Sequence, residues 1–216
     1  MVGKCEFDSI KYLMEGLWLS GLRIGEALAL TWDQWADGIR IQVDGSDVYL
    51  LIDAEDQKNR ETELYPVVDD FAEFLLHAPP AERSGFVFNP CRSSGKVTRR
   101  IDTVSGWLVD IGENAGVKVD QKTVRNKKTG KDEVKPLYAS AHDFRRAFGD
   151  RWSRIVPPMI LKDLMRHASV ATTEQFYVGV NAKKTIEALR EFKKASEVTL
   201  RLTPEGSSDP EKHVDQ

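Results

Sequence analysis

Apolar residues recur at helical spacing from the first turns of the chain. Phe7, Ile10, Leu13, Met14 and Leu17 share one face, so residues 7–19 read as an amphipathic helix. Ser20-Gly21 interrupts it, and Ser20 can cap a second helix running to about Leu30. The period then changes. Ile39–Val43 and Val48–Ile52 are β-rich, with the turn Asp44-Gly45-Ser46 between them. Leu64–Val68 reads as a third strand, and the polar stretch Ala54–Arg60 as a turn. Residues 69–77 return to helix. A loop runs from Ala78-Pro79-Pro80 to Gly95, with a short apolar piece at Phe86–Phe88. Residues 99–115 look helical. Lys118–Lys135 is the most basic stretch, with Thr129-Gly130 as a hairpin turn. After Pro136 the spacing predicts helices over about 142–154, 158–166, 171–178 and 182–197. The fold class is therefore α+β: a mostly helical body with a small three-stranded antiparallel sheet.

Composition adds little until it is divided along the chain. The 216 residues are 41% hydrophobic and 30% charged, enough for a sizeable core. No stretch approaches the roughly 18 apolar residues of a membrane span, and no basic-then-apolar leader is visible. Cys5 and Cys91 fit no metal spacing. The expectation is a reduced, cytoplasmic setting. The net charge of −3 is unlike a typical nucleic-acid binder. Yet residues 31–82 hold 3 Lys/Arg against 13 Asp/Glu, and residues 91–166 hold 17 against 9. A basic face can hide in such a total and attract a polyanion at short range. The tail 203–216 is acidic and polar, and is expected to be disordered.

Three segments hold side chains suited to phosphate chemistry. Ser20-Gly21-Leu22-Arg23-Ile24-Gly25-Glu26 puts Arg23 in the first turn of a helix, with Glu26 placed to hold it. Ser140-Ala141-His142-Asp143-Phe144-Arg145-Arg146 opens like a capping box, and His142 and Arg145 share a helix face. Leu164 to Tyr177 ends one helix at His167 and carries Tyr177 on the next. Each segment alone has an ordinary explanation: a surface ion pair, a capped helix, a core histidine and tyrosine.

Together they resemble the catalytic domain of the tyrosine recombinase, or phage-integrase, family. That family carries, in order, a G-L-R-x-x-E box, a lysine on a β-turn, an H-x-x-R box, a second His or Trp, and a tyrosine. This chain offers Arg23 with Glu26, Lys58, His142 with Arg145, His167 and Tyr177. Lys58 stands eight residues before Pro66, the family's usual offset. The likeness covers roughly residues 7–195. Residues 1–202 are then expected to form the catalytic domain, without the N-terminal core-binding domain usual in the family.

The resemblance implies a site-specific DNA recombinase acting through a 3′-phosphotyrosine. Arg23 and Arg145 would clamp the phosphate, with His142 and His167 as further donors. Tyr177 would attack, and Lys58 would protonate the leaving oxygen. Glu26 would orient Arg23. No cofactor or metal is implied. Arg92, Lys96, Arg99, Arg100, Lys122, Arg125, Lys127, Lys128 and Arg146 are candidates for contact with the backbone of double-stranded DNA. A homo-oligomer is expected, four protomers on two duplexes. In most members the tyrosine follows the second histidine by nine residues; here Phe176 fills that slot and Tyr177 comes one later. Type IB topoisomerases use similar groups, and an inactive DNA-binding remnant is the other alternative. The spelling of the two boxes, the second histidine and the T-T-x-x-F-Y run favour the recombinase.

Overall fold

Helix α1, Val2–Ser20, organises the larger part of the chain. In this computed structural model the described residues are 2–34, 37–52, 62–92, 95–125, 130–177 and 190. Ile10, Leu13 and Leu17 of α1 are buried, and α1 packs chiefly against α5, Ala141–Trp152, and α3, Asp69–Leu76. Fully buried Phe71, Phe88, Phe148, Leu75 and Leu22 fill the space around it. Each large side chain buried this way contributes about 1.5–3 kcal/mol. The chain divides into two units, 1–176 and 177–216. Of the second, only Tyr177 and Arg190 are described.

The fold is mixed α+β, with a sheet larger than the sequence suggested. The three expected strands appear as β2 (Ile39–Asp44), β3 (Asp47–Ile52) and β4 (Glu63–Pro66), antiparallel in that order. Ile39, Ile41, Val48, Leu50 and Ile52 are buried, as alternation demands. A fourth strand, β1 (Leu30–Thr31), pairs parallel with β2 through Leu30 opposite Ile39. Two residues are too few to show a period of two. They lie where the second helix was expected to end, and that helix, α2, is only Ile24–Leu28.

Nor does Ser20 cap α2. It is the last residue of α1, and its Oγ accepts the Leu22 N–H at 3.1 Å. Gly21 turns the chain at φ 61°, and Arg23 becomes the N-cap residue.

Helix α4, Ile101–Asn114, leads into a separate two-stranded ribbon. Its strands are β5, Lys118–Arg125, and β6, Asp132–Tyr138. The ribbon is the expected basic hairpin, but no residue of either strand is fully buried, so no hydrophobic alternation marks it. Helix α6, Pro158–Met165, and the short α7, Val170–Glu174, close the larger unit. The helix expected over 171–178 thus stops before Tyr177. The helix expected over about 182–197 and the tail lie outside the described residues. Among the described residues, no helix is long and apolar enough to cross a membrane.

Candidate active site: a carboxylate ringed by three arginines

Glu26 is the hub. As the third helical residue of α2, its Oε2 accepts the Arg23 backbone N–H at 2.7 Å, as in a capping box. Its Oε1 accepts from Arg23 Nη1, also at 2.7 Å. Arg166 Nη2 donates to Oε2 at 3.0 Å, and Arg145 Nη1 stands 3.9 Å from the same oxygen. Burial alone would raise the Glu26 carboxyl. The Arg166 charge, the Arg23 N–H and the charges of Arg23 and Arg145 overcome it and hold the group at about 2. Three guanidiniums thus gather on one carboxylate. Around Glu26 two positive charges remain uncompensated.

Arg145 comes from the buried face of α5, where Ser140 and Asp143 set the helix start. Asp143 Oδ2 accepts the Ser140 N–H at 2.9 Å and its hydroxyl at 2.8 Å. Arg145 is buried and donates Nη1 to the Gly21 carbonyl at 2.6 Å and Nη2 to the Met165 carbonyl. Burial, then the charges of Arg23 and Arg166, lower it to about 9, so it remains a cation at neutral pH.

Arg166 ends α6 in the left-handed region, at φ 51° and ψ 48°. For an arginine that conformation costs about 1–2 kcal/mol. Nη1 returns to the Leu164 carbonyl at 3.0 Å, while the buried Nε has no partner.

His167 is buried beside this cluster. Its Nδ1 lies 2.9 Å from the hydroxyl of Thr173, itself fully buried on α7. With Thr173 donating, the ring proton sits on Nε2. The imidazole stacks on Phe176, with centroids 6.2 Å apart and planes inclined at 15°. Burial, then the charges of Arg145, Arg23 and Arg166, lower His167 to about 4. It is neutral at neutral pH, a hydrogen-bond donor without charge.

Arg23, Glu26, Arg166 and His167 line a cleft of about 920 Å³. Its walls are mixed. Lys162 and Asp163 pair at 3.3 Å, and Asp37 and Glu63 add carboxylates. The structure therefore brings Arg23, Glu26, Arg145 and His167 together, as the spacing suggested. His142 is exposed on the first turn of α5, and neither it nor the buried Arg145 is among the cleft's lining residues. Tyr177 opens the second unit, partly buried, and burial raises its phenol above the ordinary value of 10. Lys58, Lys127 and Lys128 lie outside the described residues.

The sequence reading missed Arg166 and Thr173. Arg166 has no motif of its own; its one signal is an arginine immediately before His167. Thr173 is one of two adjacent threonines, and nothing in the sequence separates them.

Of the remaining basic candidates, Lys96, Arg99, Arg100, Lys122, Arg125 and Arg146 are exposed. Arg99 lies over Phe86 at 3.8 Å and bonds Asn89 at 2.9 Å. Arg92 lies over Trp107 at 5.1 Å and pairs with Asp110 at 3.3 Å. Arg146 stands 3.8 Å from Asp143. Among the described residues no cluster of His, Cys, Asp and Glu could hold a metal ion.

No family model matches the chain, and no curated protein matches it significantly. Solved structures do. One is the Tn1549 transposon integrase in complex with transposon right-end DNA, at 18% identity and TM-score 0.48; the match covers 88% of this chain and 59% of that one. The XerA recombinase matches at 18% identity and TM-score 0.45, covering 86% and 63%. The XerH site-specific recombinase bound to its difH substrate matches at 17% and 0.47, covering 83% and 45%. The chain spans less than two thirds of the length of each. Solved chains to which it is similar thus include a transposon integrase and two recombinases.

Proposed function

We propose that this chain is the catalytic part of a tyrosine site-specific DNA recombinase, which cleaves and rejoins DNA through Tyr177. One observation carries the reading: arginines from three distant segments meet at Glu26, beside a neutral buried histidine, and two of them, Arg23 and Arg166, line an open cleft. Fixed cations and donors of this kind stabilise charge on phosphate oxygens as a five-coordinate phosphorus forms.

In this reading Arg23 and Arg145 hold the non-bridging oxygens, and His167 Nε2–H donates to them. The Tyr177 oxygen attacks phosphorus as the bond to the 5′-oxygen breaks. Lys58 delivers a proton to that oxygen. The products are a 3′-phosphotyrosine and a free 5′-hydroxyl. The phosphotyrosine keeps the ester's energy, and a second 5′-hydroxyl reverses the step. The Tyr177 phenol is raised, so attack requires the phosphate and its cations nearby, or a base such as His142. The exposed arginines and lysines at 96–100 and on the ribbon suit backbone contact. Four protomers on two duplexes would complete the exchange.

The test uses nicked duplexes of random sequence, in which a cleaved strand diffuses away and leaves the enzyme trapped on DNA. Wild type is expected to give an SDS-resistant adduct whose DNA-linked peptide contains Tyr177. An adduct undiminished in Tyr177→Phe, or none from the whole pool, overturns the reading.

A further inference from the structure

Arg166 stands where a glycine would be more at ease. It is the sole non-glycine residue with positive φ among the described residues. Its side chain is 5% exposed, yet Nε has no acceptor. A buried N–H without a partner opposes folding. So does a third guanidinium packed near two others around one carboxylate. Folding alone gains little from these features. One event would offset the crowding of charge, the arrival of an anion in the cleft that Arg166 lines. The anion would place a further acceptor and negative charge beside the guanidinium.

We propose that Arg166 is a third phosphate-binding arginine of the cleft, touching the scissile phosphate alongside Arg23 and Arg145. This rests on the recombinase reading given above. The charge fits the chemistry. A phosphodiester carries one negative charge, and the five-coordinate species formed on attack carries two. Around Glu26 the arginines outnumber the carboxylate three to one, so charge developing on the phosphate oxygens there meets cations. Arg166 therefore acts as a catalytic residue, by contact with the reacting phosphate, as well as bracing Glu26.

Arginine Nε–H resonances provide the test. The full chain, labelled with ¹⁵N-arginine, is titrated with sodium sulfate at constant ionic strength. Arg166→Gly assigns the Arg166 signal, and Arg166→Lys does so if the glycine variant does not fold. The expected result is a saturable shift of the Arg166 Nε–H together with those of Arg23 and Arg145. In the assigning variant, sulfate affinity read at Arg23 should fall about tenfold, the effect of losing one charged contact. If Arg23 and Arg145 respond while Arg166 is silent, this proposal is overturned and the recombinase reading stands. If no arginine of the cluster responds, both fall.

Discussion

The ring of Phe176 lies flat against the imidazole of His167, 6.2 Å between centroids, and fills the place where the family's spacing would put a tyrosine. The same ring meets Gly149 of α5, where an added Cβ would sit 2.5 Å from it. Gly149→Ala must therefore displace Phe176, despite alanine's better helix propensity. A loss of about 1–3 kcal/mol is expected in urea unfolding, with a changed His167 chemical shift. A stabilised variant would refute this packing.

Because Phe176 is committed to His167, Tyr177 is the expected nucleophile in spite of its late position. Tyr177→Phe should lower adduct formation by more than about 10³-fold without altering Tm. Adding Phe176→Tyr to that variant should not restore it. Recovery of the adduct in the double variant would show that the slot, and not the residue, selects the nucleophile.

Glu26 is held at about 2 in the folded chain, below its ordinary 4.5. A depressed carboxyl stabilises the fold above the unfolded value. That stability drains away as pH falls from about 4.5 through 2, and amounts to about 3 kcal/mol. Glu26→Gln should remove this component of the acid limb and cost about 2–4 kcal/mol at pH 7, since three arginines lose their shared anion. Denaturant midpoints measured from pH 7 to pH 2.5 would check both.

His167 acts over a higher window. Its folded value, about 4, lies below the ordinary 6.5, so the unfolded chain takes up the proton first as pH falls. Stability is then lost between about pH 6.5 and 4, by about 1–3 kcal/mol, and is constant below. His167→Gln should flatten that interval. A bound sulfate should raise the His167 titration midpoint in an NMR titration, because it offsets the arginine charges.

Gly21 has φ 61°, and an added Cβ would meet the Phe148 ring at 2.5 Å. Gly21→Ala combines backbone strain with a core clash and is expected to cost about 2–4 kcal/mol. Its effect on adduct formation should exceed its effect on Tm, since the Gly21 carbonyl also anchors Arg145.

The parts of the site that follow from local spacing were legible in the sequence. Arg23 and Glu26 are three apart, and the capping geometry that joins them is a property of one helix turn. The Ser140–Asp143 helix start is equally local. Arg166 was not legible, because its left-handed backbone and burial are imposed by the end of α6 and by Glu26, 140 positions away. His142 and Arg145 are three apart on α5, as the sequence shows, yet one is exposed and the other buried, a difference that spacing alone does not carry. Strand β1 escaped because two residues show no period; the ribbon was legible through its turn residues rather than through any buried alternation.

The Gly21 carbonyl is bonded by a guanidinium 124 positions further along the chain, and that guanidinium also grips Met165. The first and last thirds of the larger unit are thus joined at one side chain, from within its buried interior. No fragment emerging from the ribosome can assemble the arginine ring before α1, α5 and α6 have docked. Whatever the ring binds, its capacity to bind arrives only once these three helices are in place.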